Sequence, residues 1–158
     1  MSLKTKNLLK ITLSTILTVL VIIFNSCDTT TTSTTDCSIS ITNFTLSTSS
    51  ANPGDDIKGT VVINDKIGLS STEIQSLVGM YLSTDGTYSA NDNPLTSFVD
   101  VANISTSGTS VTIPFDQIEI PFTTAAGSYN IIAHVPQQNC GGGVTSVAAN
   151  KTRTITIN

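Results

Sequence analysis

The stretch Ile57-Lys58-Gly59-Thr60-Val61-Val62-Ile63-Asn64 decides the fold class. Ile57, Val61 and Ile63 fall at even spacing with Gly59 between them, so they share one face of a β-strand. Outward from it the same pattern repeats, as short alternating runs separated by turn residues. Toward the N-terminus, Ser38–Ser47 carries Ile39 and Ile41 and then Phe44 and Leu46. The parity slips once near Asn43, which predicts a bulge or a strand that changes sheet. Toward the C-terminus, strand character returns at Leu77–Ser83, where Val78, Met80 and Leu82 oppose Leu77, Gly79 and Tyr81. Further strands are predicted at Leu95–Ala102, Val111–Ile118, Ser128–Pro136 and Thr152–Ile157. The punctuation fits: Asn52-Pro53-Gly54-Asp55 is a turn, and Thr84 to Pro94 is a polar loop. Between Asp65 and Gln75, Ser70-Ser71-Thr72-Glu73 reads as a capping box opening a single helical turn. Seven strands with no long helix predict an all-β, antiparallel sandwich and exclude a parallel α/β sheet.

Composition agrees. Thr, Ser, Ile and Val dominate; these suit a pleated surface better than a helix. The chain has no Trp and few aromatics, so aliphatic side chains must supply most of the core. Charge divides the chain. Before position 50 the basic residues are Lys4, Lys6 and Lys10, and no acid precedes Asp28. Beyond Cys27, Lys58, Lys66, Lys151 and Arg153 stand against all eleven acids, a net of −7. Such a field repels phosphate backbones, and no basic cluster overrides it, so nucleic acid is excluded as an expected partner.

Residues 1–26 read as a signal peptide: a basic start, then a 14-residue apolar run from Ile11 to Phe24, then Asn25-Ser26 before Cys27. The run is shorter than the roughly 20 residues that span a bilayer core. A small residue directly before a cysteine here resembles the lipobox of bacterial lipoproteins, in the looser form of Bacteroidetes-type sequences, because Phe24 and Asn25 depart from the strict pattern. That resemblance implies cleavage before Cys27, a diacylglyceryl group on its sulfur, and a fatty acid such as palmitate on its amine. Two or more acyl chains make a stable membrane anchor. The other reading of residues 1–26 is an ordinary signal peptide, or an uncleaved membrane anchor, with Cys27 incidental. The expected location is the cell envelope, at the outer membrane or cell surface. Residues 27–36 form the linker. Asp28 to Asp36, DTTTTSTTD, has no apolar side chain to bury and is expected to be a tether reaching at most about 30 Å. Asp28-Thr29-Thr30 also resembles an O-glycan attachment site, with an unmodified spacer as the alternative.

Within residues 37–158 a resemblance becomes specific. Asn52-Pro53-Gly54-Asp55, Val78-Gly79-Met80-Tyr81-Leu82-Ser83-Thr84-Asp85, Ile120-Pro121 and Gly127-Ser128-Tyr129-Asn130-Ile131 occur in that order. Together they resemble the bacterial cell-adhesion-related domain called CARDB, an immunoglobulin-like β-sandwich. Two departures stand out: a longer Asp65–Gln75 insertion, and Ala148-Ala149-Asn150-Lys151 where the family has an acidic, Asn-rich stretch. In a sandwich of that topology Cys37, at the start of the first strand, and Cys140, in the loop before the last, fall at the same end. A disulfide between them is therefore expected, with two free thiols as the alternative.

The residues offer little chemistry. His134, the one histidine, points by alternation opposite Ile131, Ala133 and Val135, and no nucleophile neighbours it in sequence. A zinc site lacks its CxxC, and Gly141–Gly143 precede no helix that could hold phosphate. The expectation is a protein that is not an enzyme and needs no cofactor, with calcium the one metal to consider. Asp85, Asn91, Asp92 and Asn93 crowd one loop, and Asp55 and Asp56 lie in another at the same end; these are calcium's oxygen ligands, and equally ordinary turn formers. If the tether leaves from Cys37, the loops Asn52–Asp56, Asp85–Asn93 and Phe122–Gly127 lie at the far end and are the expected contact surface for a protein or glycan. The alternative function is a passive structural or accessory subunit of an envelope complex, docked through a sheet face or edge.

Overall fold

The computed structural model describes residues 36–158; the segment read as a signal peptide, Cys27 and the expected linker up to residue 35 lie outside the described residues. The strands are β1 (Ile39–Leu46), β2 (Ser50–Ala51), β3 (Asp56–Asp65), β4 (Gly79–Ser83), β5 (Asn93–Pro94), β6 (Ser97–Val99), β7 (Ser105–Ser107), β8 (Ser110–Glu119), β9 (Gly127–Val135) and β10 (Ala149–Ile157). One helix, α1 (Ser71–Leu77), joins β3 to β4. They form two sheets. The first runs β1-β3-β8-β6, with β7 also on β8, and the second runs β2-β10-β9-β4-β5.

Burial follows the alternation. In β3, Ile57, Gly59, Val61 and Ile63 are buried, and Asp65 continues that face. Phe44, Val61, Ile113 and Phe115 from the first sheet join Met80, Ile131, Val135 and Ile155 from the second in one core between the layers. At roughly 1.5–3 kcal/mol for each large aliphatic side chain buried, such packing can hold a sandwich without Trp. The parity slip near Asn43 is a bulge: Ile41 pairs Ile63, Asn43 pairs Val62, and the register shifts between them. The Asn43 side chain accepts the Phe44 N–H (2.9 Å), and Phe44 returns to the core.

Three sequence expectations change. The described residues form ten strand segments rather than seven. The Leu95–Ala102 strand shortens to β6, in the first sheet: the chain enters it from β5 in the second sheet, and a 3-10 turn follows at Val101–Asn103. Leu95 is buried in the core where the chain crosses between layers, its N–H donating to the Met80 carbonyl (2.9 Å). Pro94, which has no N–H to donate, sits at the sheet edge just before the crossing. The helical turn after Ser70 extends over seven residues, and Leu77, expected on a strand, ends it. Its capping box is present, with Ser70 and Glu73 satisfying each other's backbone N–H groups.

Candidate functional site

Cys37 and Cys140 form a disulfide with Cα atoms 6.0 Å apart. The register identifies its end of the sandwich. Ile39 at the start of β1 pairs Asp65 at the end of β3, and Val135 at the end of β9 pairs Ala149 at the start of β10. The loop carrying Cys140 therefore leaves the second sheet where the chain enters the first.

The other end gathers two of the loops expected there, Asn52–Asp56 and Phe122–Gly127, and the two ends of the third, Thr84 and Asn91–Asn93. The Asn52–Asp56 turn is tied to the exit of β8: the Gly54 N–H donates to the Ile120 carbonyl (2.7 Å), and the Ile120 N–H to the Asp55 carbonyl (2.9 Å). Gly54 has φ +87°, and a Cβ there would fall 2.2 Å from the Phe122 ring, so glycine serves both the turn and the aromatic contact. Phe122 is otherwise 78% exposed. Beside it, Ser83, Thr84, Asn91, Asp92 and Asn93 face Thr123, Thr124, Ala125 and Tyr129 across a crevice of about 440 Å³. That volume lies within the range of small-ligand sites, and the lining is mostly hydroxyl and amide groups.

The acids named for calcium are placed otherwise. Asp85 Oδ1 accepts from the Thr87 N–H (2.8 Å) and the Ser83 hydroxyl (3.0 Å). Asp92 Oδ2 accepts the Ser89 N–H (2.6 Å), and Asp55 Oδ2 accepts the N–H (2.7 Å) and amide (3.0 Å) of Asn52. Asp56 begins β3 with an exposed side chain. Among the described residues no three His, Cys, Asp or Glu side chains come together as a metal site. Asp55, Asp56, Asp85, Asn91 and Asp92 are thus not assembled as one ligand set; three of the carboxylates close their own turns. The Thr87 N–H first, and the Ser83 hydroxyl after it, hold the Asp85 carboxyl below the usual carboxylate range.

Sequence reasoning missed a second feature. The loop after β4 does not project from the far end but folds back over the outer face of the second sheet. The Thr152 hydroxyl donates to the Gly86 carbonyl (3.2 Å), and Tyr88 stacks on His134 with ring centroids 3.7 Å apart and planes 10° apart. Tyr81 meets both rings edge-on, at 4.9 Å and 5.9 Å. The His134 Nδ1–H donates to Asn150 Oδ1 (2.6 Å), because an amide oxygen only accepts. Under this flap His134 and Ile132 are buried although both point away from the core. Burial, and then the neighbouring Tyr88 hydroxyl, push the Tyr81 phenol up. One signal was available: Gly79 precedes Tyr81 on the same strand face, and a Cβ there would lie 2.8 Å from the Tyr81 ring. The glycine makes room for the ring to lie along the strand.

No family model matches the chain, and no curated protein matches it. Among solved structures it is similar to BslA, a bacterial hydrophobin, at 14% identity and a TM-score of 0.33, over 76% of this chain and 99% of that one. A likeness that weak says nothing of what the chain does. Among the described residues no helix is long and apolar enough to cross a membrane.

Proposed function

We propose that the protein is a lipoprotein of the cell envelope, anchored through acylated Cys27, whose immunoglobulin-like, CARDB-like domain recognises protein or glycan without catalysis. The observation that carries this reading is a polar crevice between the two ends of the Thr84–Asn93 loop and the Thr123–Ala125 loop, at the end remote from the disulfide that receives the tether. A rigid scaffold that presents loops at its far end suits recognition. The strand order supports the immunoglobulin-like assignment: four strands β1-β3-β8-β6 face a sheet in which β10, β9 and β4 are neighbours, and β2 pairs β10 in parallel. The lipobox at Ser26-Cys27 supports the anchor.

The test uses the full-length protein in detergent or vesicles, probed on a glycan array and in pull-downs from envelope extracts. Binding that Asn91→Ala with Asn93→Ala weakens at least tenfold, with unchanged circular dichroism, supports the reading. Binding indifferent to the crevice rejects it. Fatty-acid labelling that disappears in Cys27→Ser checks the anchor separately.

Phe98 favours a second reading, an accessory subunit docked by a sheet edge. Phe98 lies on the short edge strand β6 and is 56% exposed. Protease access on intact cells supports the recognition reading, whereas protection until the outer membrane is opened supports the accessory one.

A further inference from the structure

The end that carries the disulfide differs from the far end in charge and in exposed apolar surface. From Pro136 to Ala148 the connection between β9 and β10 contains no charged residue. Neither does the β7–β8 hairpin, Ser105 to Ser110, which reaches the same end through the Asp65 N–H to Thr109 carbonyl bond (2.7 Å). The acids there are Asp36, Asp65 and Glu73, and each is committed. Asp36 pairs with Lys66 at 2.7 Å, Asp65 is buried, and Glu73 closes the helix cap. At the far end the Asn52–Asp56 turn carries Asp55 and Asp56, and Asp92 lines the crevice beside it.

The uncharged connection is ordered by its own bonds. The Cys140 N–H donates to the Val144 carbonyl (2.9 Å) and the Val144 N–H to the Gly141 carbonyl (3.0 Å), and the Ser146 N–H reaches the Gln138 carbonyl (2.8 Å). This hairpin nonetheless leaves Val144 52% and Val147 82% exposed. The two valines lie three residues apart in one neutral loop and offer a small apolar surface. The chain supplies its position: Cys37, bonded to this loop, lies only ten residues after Cys27, a reach of at most about 36 Å.

We infer that the Val144–Val147 hairpin is a membrane-contact surface that rests in the lipid headgroup region and sets the domain upright, with the acidic loops directed away. The inference depends on the lipid-anchor reading of Cys27. Shallow insertion of two aliphatic side chains gives little binding by itself, but a chain already acylated needs only orientation. The absence of acidic side chains on the hairpin removes repulsion from anionic lipid, which the far end would suffer.

The chain has no Trp, so a single introduced indole reports unambiguously. Full-length acylated Val147→Trp, and Phe122→Trp as its counterpart at the far end, are placed in phosphatidylethanolamine–phosphatidylglycerol vesicles. The expected result is blue-shifted emission from Val147→Trp, quenched by lipids brominated near the top of the acyl chain, and water-like, unquenched emission from Phe122→Trp. Water-like emission from both, while Cys27 carries its fatty acid and the protein floats with vesicles, overturns the inference and leaves the anchor intact. A blue shift seen in isolated envelopes but not in pure lipid also overturns it, and assigns the valines to a protein partner. Absence of fatty acid from Cys27 overturns both readings together.

Discussion

Asp65 carries more of the local structure than any acid named from the sequence. Its Oδ1 accepts the N–H groups of Ile67 (2.9 Å) and Gly68 (3.1 Å), and its Oδ2 accepts that of Leu69 (2.7 Å). The residue is buried where β3 gives way to the chain leading to α1. Removing the carboxylate strands three backbone donors, so Asp65→Ala should lower stability by about 2–3 kcal/mol in urea unfolding. Asp65→Asn should recover part of the loss. Asp85 makes the opposite kind of contribution, on an exposed loop. Its carboxyl is held low in the folded state, so the stability it supplies is present above the unfolded value and is lost as pH falls through the depressed folded one. An NMR titration should place its midpoint below the ordinary aspartate value of about 3.9, and Ser83→Ala should move it upward. A midpoint at the ordinary value would refute the hydrogen-bonded turn.

At the scale of elements, the flap over the second sheet explains two buried residues that strand alternation alone would leave wet. Tyr88 covers His134, and Gly86 anchors the loop through Thr152. Tyr88→Ala should cost about 2 kcal/mol, through lost stacking and uncovered apolar surface, whereas Tyr88→Phe should stay within about 0.5 kcal/mol. Hydrogen exchange in β4 and β9 should quicken in the alanine variant only. An equal effect from both variants would assign the contribution to the hydroxyl instead. The bulge at Asn43 and the capping box at Ser70 were legible because each leaves a local mark, a slip in parity and a Ser–Glu spacing. β2 and β7 left none: segments of two or three residues have no period, and their backbones pair only because β10 and β8 offer open edges. The crossing from β5 to β6 through Leu95 escaped for a similar reason. The apolar residues there suit a strand, and nothing local states which sheet each part joins.

For the whole molecule, the disulfide closes a separation of 103 residues and ties the chain's entry to the last long loop. Replacing both cysteines, Cys37→Ala with Cys140→Ala, should lower stability by up to about 4–5 kcal/mol in the chain-entropy account. The check is a fall in the urea midpoint of the double variant against the oxidised parent. No change would mean that the unfolded chain is already compact enough for the crosslink not to matter.

Alternation of Ile, Val and Leu with polar residues determined from the sequence alone that the described domain is a layered all-β structure, and which side chains fill it. That follows because a strand's two faces are set by residue number, and solvent sorts them. The sequence also carried the Cys37–Cys140 pairing, through the resemblance to a known sandwich topology. Only the tertiary structure decided which backbone N–H and hydroxyl groups the carboxylates of Asp85 and Asp92 take up. The same holds for Tyr88 lying over His134 and for the two valines left open beside the disulfide. These outcomes depend on where distant backbone segments stop and which donors they leave unpaired, and that information resides in no single stretch of the chain.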